Sequence, residues 1–198
     1  GYVFPAATAA GLVPFPDGNG IVGSIFNDGW QEYVGSCLLQ PMLAGQSYII
    51  QMQIASTPVT GSAGVCNGGV VNYGPIDIII YGSTSCANLP FAGTGCPPGS
   101  WQILGSTNYT PVSSWGTLSI AFTPPVDMAA IAIGSPCPIP AGYNQPGGCY
   151  PYFYYDNLLL NQETLFNSVS QTGSWCNNNI QLTTPYIPGG TYQWYLDG

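Results

Sequence analysis

The chain has 198 residues, eight acidic side chains and no Lys, Arg or His, so charged residues make up 4% of it, against about 25% in an ordinary soluble domain. This composition excludes His-activated nucleophiles, lysine Schiff bases, P-loop lysines, arginine clamps and imidazole metal sites. A formal charge of −8 also excludes nucleic acid and anionic membranes as expected partners. Binding through aromatic, amide and hydroxyl groups, structural assembly, oxygen-ligated cations and carboxylate-pair catalysis remain.

Alternating apolar and polar residues recur along most of the chain, between segments rich in its 27 Gly and 19 Pro. This pattern predicts an all-β fold, an antiparallel sandwich. Strands are expected, in chain order, at residues 48–54, 76–81, 117–123, 128–133 and 152–160. In the first of them, Gln51 and Gln53 lie on the face opposite the apolar side chains. The fourth is apolar on both faces, which predicts a central strand.

Seven cysteines occur without a Cys-x-x-Cys pair and without a His to complete a zinc site, which favours disulfides in an exported protein. They are expected to pin the long loops at residues 59–74 and 83–100. An even set of six allows about fifteen pairings: Cys37, Cys66, Cys86, Cys96, Cys137 and Cys149. The shortest loops would join Cys86 to Cys96 and Cys137 to Cys149. Cys176 is left without a partner in this set. Separately, no apolar run in the sequence is long enough to insert in a membrane.

The strand pattern restarts after Asn161, with Cys176 followed by Trp194 on the next predicted strand. A Cys on one strand and a Trp on the next begin an immunoglobulin-like sandwich, a fold of about 100 residues. We therefore expect one β-sandwich domain at residues 1–162 and a truncated immunoglobulin-like domain at residues 163–198.

Asp156 is the most informative single residue. Strand alternation puts it on the face of Leu158 and Leu160, toward the core. A buried ionised carboxylate costs several kcal/mol, and the chain offers no Lys or Arg to pair with it. A bound cation, backbone N–H donors or protonation must compensate the charge.

Several motifs follow one another along the chain: PDGNG at 16–20, QEYVGSCL at 31–38, PMLAGQSY at 41–48, Trp115 ahead of FTP at 122–124, IAIG at 131–134, and YYDNL at 154–158. Together they resemble the surface adhesins and gliding-motility-associated proteins that gliding bacteria export through the type IX secretion pathway. The resemblance covers residues 12–198. It implies a galactose-binding-like jelly roll, similar to carbohydrate-binding modules, followed by an immunoglobulin-like repeat. The lack of basic residues departs from that family, so no Arg or Lys ligand contact carries over.

The resemblance also implies a metal. Jelly rolls of this kind often hold a structural Ca²⁺ beside the acidic residue of the last strand, with ligands from an early loop. Asp17, Asn19 and Asp156 would then be ligands, with Glu32 as a further oxygen donor. Two other interpretations stay open: residues 16–20 simply form a turn, or Asp156 accepts backbone amides.

An aromatic run near the end of the first domain suggests a sugar-stacking surface. Phe153 and Tyr155 are expected to be its exposed rings, with Trp30 or Trp101 nearby. Tyr152, Tyr154 and Trp115 are expected in the core instead, because aromatic side chains also fill sandwich cores.

The composition and this resemblance together imply a non-catalytic module of an exported, extracellular adhesin at a bacterial cell surface. Its partner would be a surface glycan or neighbouring copies in a fibre. One alternative is a free carbohydrate-binding module of a secreted polysaccharide-degrading system. A less favoured alternative is a glycosidase that uses only carboxylates, for which Glu32 and Asp156 are the candidate pair.

Overall fold

The computed structural model describes residues 2–5, 12–27, 30–59, 73–89, 95–143, 150–166, 170–172 and 181–183. Its strands are β1 (Tyr2–Pro5), β2 (Gly20–Asn27), β3 (Trp30–Gln31), β4 (Val34–Met42), β5 (Tyr48–Val59), β6 (Ile76–Ser83), β7 (Trp101–Tyr109), β8 (Gly116–Phe122), β9 (Met128–Gly134), β10 (Tyr150–Gln162), β11 (Ser170–Thr172) and β12 (Gln181–Thr183). The helices are α1 (Glu163–Phe166) and two 3-10 turns, Cys86–Asn88 and Ala141–Tyr143. No helix in these ranges has the length and apolar character needed to cross a bilayer.

Two antiparallel sheets form the sandwich. In the six-stranded sheet, β1, β2, β10, β5 and β8 lie side by side, and β3 pairs with β2. The four-stranded sheet has the order β4, β9, β6, β7. The strands β2 and β4 to β10 fill the eight positions of a jelly roll. The predicted all-β jelly-roll sandwich is confirmed, and β9 is a central strand as expected.

The core between the sheets is built from the inward faces of the strands that alternation identified. The buried side chains include Ile50, Met52 and Ile54 of β5, Ile76, Ile78 and Ile80 of β6, and Ile120 and Phe122 of β8. These predictions are confirmed. Among the described residues, β11 pairs with β12 in a separate two-stranded sheet, and the immunoglobulin-like domain at residues 163–198 stays a prediction.

Strand β10 does not alternate along its whole length. Its register against β5 shifts between Asp156 and Leu159, and Asn157 has a φ of 47°, a left-handed conformation that Asn tolerates. Leu160 therefore packs against the core, whereas Leu158 and Leu159 are exposed. The expectation that Asp156 shares the core face with Leu158 and Leu160 is wrong, because a β-bulge resets the alternation between them.

Disulfides form as predicted, but not between neighbours in the sequence. Cys37 pairs with Cys86 and Cys96 with Cys137, with Cα atoms 5.3 Å and 5.5 Å apart. The proposed pairings of Cys86 with Cys96 and of Cys137 with Cys149 are wrong. Strand β4 and the 3-10 turn after β6 are far apart in sequence but contact each other in the fold, and this contact brings Cys37 to Cys86. Outside the described residues lie Cys66, Cys149 and Cys176.

Candidate functional site

A segment from the start of the chain covers one half of the outer face of the six-stranded sheet. We call residues 12–17 the strap. Its Leu12 and Phe15 pack on Tyr152 and Tyr154 of β10, whose rings stack at a centroid distance of 5.2 Å. The Trp115 indole Nε1 donates to the carbonyl oxygen of Leu12 over 2.7 Å. The strap thus seals an apolar, aromatic half of this face away from solvent.

Asp156 lies at the edge of the strap and is 7% exposed. Its Oδ2 accepts a hydrogen bond from the Asp17 backbone N–H over 2.8 Å, and its Oδ1 accepts one from the Asn157 backbone N–H over 2.8 Å. Hydrogen bonds to a carboxylate are among the stronger ones in proteins. The sequence left a bound cation, backbone N–H donors or protonation as ways to compensate this carboxylate. The structure supplies backbone N–H donors.

The four residues proposed as calcium ligands do not converge in the way expected. Asp17 meets Asp156 through its backbone N–H, and its own side chain is exposed, as is that of Asn19. Glu32 instead accepts from the Ile25 N–H over 3.2 Å. Among the described residues, no three His, Cys, Asp or Glu side chains gather closely enough to hold a metal ion. Calcium binding stays a prediction.

The rings proposed to stack on sugars are not at the surface. Phe153 and Tyr155 are both 0% exposed; they face inward because they pair with Ser56 and Ile54, which belong to the inner face of β5. Trp101 is buried against Ile79 and Tyr81 on the four-stranded sheet. The expectation of exposed rings is wrong for Phe153 and Tyr155, and the expectation that Trp101 lies near them at the surface is wrong as well. The side chain of Trp30 lies outside the described residues.

The remaining half of the outer face of the six-stranded sheet is open and polar. Two rows run from β5 to β8, with Gln53 opposite Thr117 and Gln51 opposite Ser119. In each row the glutamine Nε2 donates to the hydroxyl oxygen, over 2.8 Å to Thr117 and 3.1 Å to Ser119. The rows are two residues, or about 7 Å, apart along the strands. We call these four residues the amide face.

Apolar side chains border the amide face. Leu159 lies opposite Gln51 on β10 and is 48% exposed, and Ile49 lies opposite Ala121 on the outer side of β5 and β8. Because each glutamine donates within its row, its Oε1 remains an acceptor, and the hydroxyl keeps its own proton to donate. The surface can therefore bind adjacent hydroxyl groups, and its four residues include no ionisable side chain that could act as acid or base.

Sequence reasoning identified only part of this surface. It assigned Gln51 and Gln53 to the outer face of β5, but it gave them no role. The outward positions of Thr117 and Ser119 follow from the same alternation, since Leu118 and Ile120 face inward. That these hydroxyls lie opposite the two amides depends on the register of β5 against β8, which the sequence pattern does not specify.

No protein-family model and no curated protein matches the sequence. The fold is similar to several solved structures, among them one described as "CBM4 structure and function", with 15% identity and a TM-score of 0.37 over 69% of this chain and 64% of that one. The chain therefore spans less than two thirds of that structure. It is also similar to the N-terminal cellulose-binding domain of Cellulomonas fimi β-1,4-glucanase C, with 9% identity and a TM-score of 0.40 over 72% and 78% of the two chains. The C-terminal domain of EclA, a sugar-binding protein, aligns with 12% identity and a TM-score of 0.35 over 75% and 83%. With TM-scores this low, the ligand and binding residues of this chain are inferred from its own structure.

Proposed function

We propose that this chain is a non-catalytic glycan-binding module of an exported protein and that the amide face is its binding surface. The observation that carries the proposal is the pair of glutamine–hydroxyl rows on an open sheet face. Sugars present adjacent hydroxyl groups around a ring with apolar C–H faces. The amide oxygens and hydroxyl protons of the rows match the first feature, and the bordering apolar side chains match the second.

The glycosidase alternative loses support from the contacts of its candidate pair. Both carboxylate oxygens of Asp156 already accept backbone N–H groups at the edge of the strap. Glu32 accepts from a backbone N–H as well. A general acid or nucleophile has to reach the scissile bond from an open cleft, and Asp156 is 7% exposed.

Two observations bear on the cellular setting of the module. The disulfides Cys37–Cys86 and Cys96–Cys137 favour an oxidising, extracellular location. The sequence resemblance favours a cell-surface adhesin with type IX export, in which the module binds a surface glycan or contacts its neighbours in a fibre. A free carbohydrate-binding module fits the amide face equally well. The amino-acid sequence on either side of this chain distinguishes the two settings.

The binding role is tested with the double variant Gln51→Ala/Gln53→Ala and a panel of soluble neutral polysaccharides. Each lost hydrogen bond is worth about 0.5–1.5 kcal/mol, so we expect the double variant to bind about tenfold more weakly. Titration calorimetry or affinity electrophoresis gives the dissociation constants, and circular dichroism checks the fold.

A matched control exists on the other sheet, where the exposed Asn108 Nδ2 donates to Asp77 Oδ1 over 3.0 Å. Asn108→Ala removes a similar cross-strand amide contact and should leave binding unchanged. Equal affinity of the wild type and the double variant for every bound polysaccharide would remove the amide face as the binding surface.

A further inference from the structure

The amide face is neutral, but an acidic residue lies beside one of its rows. Asp156 lies directly opposite Gln53 on β10. Glu163 lies farther along the sheet, where its backbone N–H donates to the carbonyl oxygen of Ser47, just before β5 begins. The entire sequence contains no Lys, Arg or His. Every formally charged side chain near this surface is therefore negative.

We infer that the amide face selects neutral glycans and rejects glycans that carry carboxylate or sulfate groups. The inference rests on the proposed function and specifies its substrate class. An anionic sugar that leaves water needs a cation, a metal ion or several N–H donors in return. The chain has no cationic side chain to offer.

The donors on this face that could replace a cation are few and uncharged. Each glutamine Nε2 donates one of its two N–H groups within its row, to Thr117 or Ser119, which leaves one further amide N–H per row. The strand β5 lies between β10 and β8, so its backbone N–H groups belong to the ladders on either side. A bound anion would therefore meet only neutral amide and hydroxyl donors, on a face where the Asp156 carboxylate lies opposite Gln53. Like charges brought together at a binding surface cost affinity.

The first experiment compares a neutral glucan that the module binds with its carboxymethylated derivative, with a chelator present so that no divalent cation bridges the charges. We expect the anionic derivative to bind at least about tenfold more weakly in low salt. The difference should shrink in about 1 M salt, where charges are screened within about 3 Å.

The outcomes separate the two proposals. Equal affinity for the neutral and the anionic polymer would overturn the selectivity and leave glycan binding intact. If the folded protein binds no neutral polysaccharide of the panel, the proposed function falls, and the selectivity falls with it.

The second experiment adds a cation to the face. Ser119→Lys puts one positive charge beside Gln51, and we expect it to improve binding of the carboxymethylated polymer at least about fivefold. Asn108→Lys makes the same change in net charge on the four-stranded sheet, and we expect no improvement. Equal gains from both variants would show that the net charge of the whole chain decides the preference, which would contradict a local origin at the amide face.

Discussion

The two sheets of the sandwich differ in how their outer faces are covered. On the four-stranded sheet, Ile79, Tyr81 and Trp101 point outward and are buried under Tyr33 and Leu89. On the six-stranded sheet, the strap covers the aromatic half, and the amide face stays open. The outward aromatic clusters thus coincide with a covering segment, whereas the outward amides and hydroxyls remain exposed together with single apolar side chains such as Leu159. The open part of the six-stranded face is therefore the part where the described strands present no aromatic cluster that has to be removed from water.

Close contacts hold the cover of the four-stranded sheet in place. The Tyr33 ring lies directly over Gly134, where a Cβ atom would overlap the ring, and it packs edge-on against Tyr81 at 5.7 Å. The Tyr81 hydroxyl donates to the Ser135 carbonyl oxygen over 2.7 Å. The disulfide between Cys37 and Cys86 attaches the 3-10 turn to β4 on the same sheet.

Removing that disulfide should have the largest effect on stability. The bridge spans a sequence separation of 49 residues, for which the chain-entropy model gives about 4 kcal/mol. We expect Cys37→Ala/Cys86→Ala to lose about this much in denaturant unfolding, while glycan binding at the amide face persists in the folded variant.

The other disulfide serves as a control for loop length. Cys96 and Cys137 are 41 residues apart, so chain entropy alone gives Cys96→Ala/Cys137→Ala nearly the same loss. A larger loss for the Cys37–Cys86 bridge would measure how much it contributes to covering the four-stranded sheet. If the Cys37→Ala/Cys86→Ala variant loses less than about 1 kcal/mol, the disulfide does not hold the covering segment on the four-stranded sheet.

Removing the Asp156 carboxylate should cause an intermediate loss of stability, and this loss concerns the six-stranded sheet. Asp156→Ala leaves two backbone N–H groups without their acceptor, which costs about 3 kcal/mol when the groups stay buried. Asp127 is the matched control, because it also accepts a backbone N–H, from Ala44 over 2.8 Å, but at an exposed position. We expect Asp127→Ala to cost about 0.5 kcal/mol.

Hydrogen exchange distinguishes the strap from the rest of the sheet in these variants. Asp156→Ala should speed exchange at the backbone N–H of Asp17, with little change in β5 and β8. If Asp156→Ala and Asp127→Ala lose similar amounts of stability, burial does not increase the contribution of the Asp156 hydrogen bonds.

Raising the pH should give the smallest loss of stability per residue, through buried or partly buried tyrosines at both sheets. Burial raises the pKa of Tyr33, on the covered four-stranded face, to about 12, and burial also raises the pKa of Tyr155 in the core. Below about pH 10, both phenols are neutral in the folded and unfolded chains. Above it, the unfolded chain loses these protons first, so stability falls as the pH rises from about 10 toward 12.

The variant Tyr155→Phe tests this prediction when its free energy of unfolding is measured as a function of pH. Each phenol that stays neutral only in the folded state contributes about 1.4 kcal/mol of lost stability per pH unit, so the variant should show a pH slope smaller by about that amount. Tyr33→Phe should change the slope less, since Tyr33 is only partly buried. An identical slope for the wild type and Tyr155→Phe would show that Tyr155 ionises as easily in the folded chain as in the unfolded one.

Prediction from the sequence succeeded where side chains alternate regularly and failed where a distant segment intervenes. The inward faces of β5, β6 and β8 followed from alternation alone. The same rule failed on β10, because the bulge at Asn157 changes the register and because the strap buries side chains on the outer face. Phe153 and Tyr155 were assigned to the surface on the argument that Tyr152 and Tyr154 fill the core. In the structure both pairs are buried, on opposite sides of the sheet.

The sequence by itself determined the β-sandwich, the oxidised cysteines and the exclusion of all chemistry that needs a cation or an imidazole, because these depend on residue types and local periodicity. Only the tertiary structure decided which cysteines pair, what compensates Asp156 and which half of a sheet face stays open. The reason is physical: alternation separates the two faces of a strand, but it does not show what packs on each face. The strap residue Asp17 meets Asp156 across 139 residues of sequence, and no local pattern records such a contact.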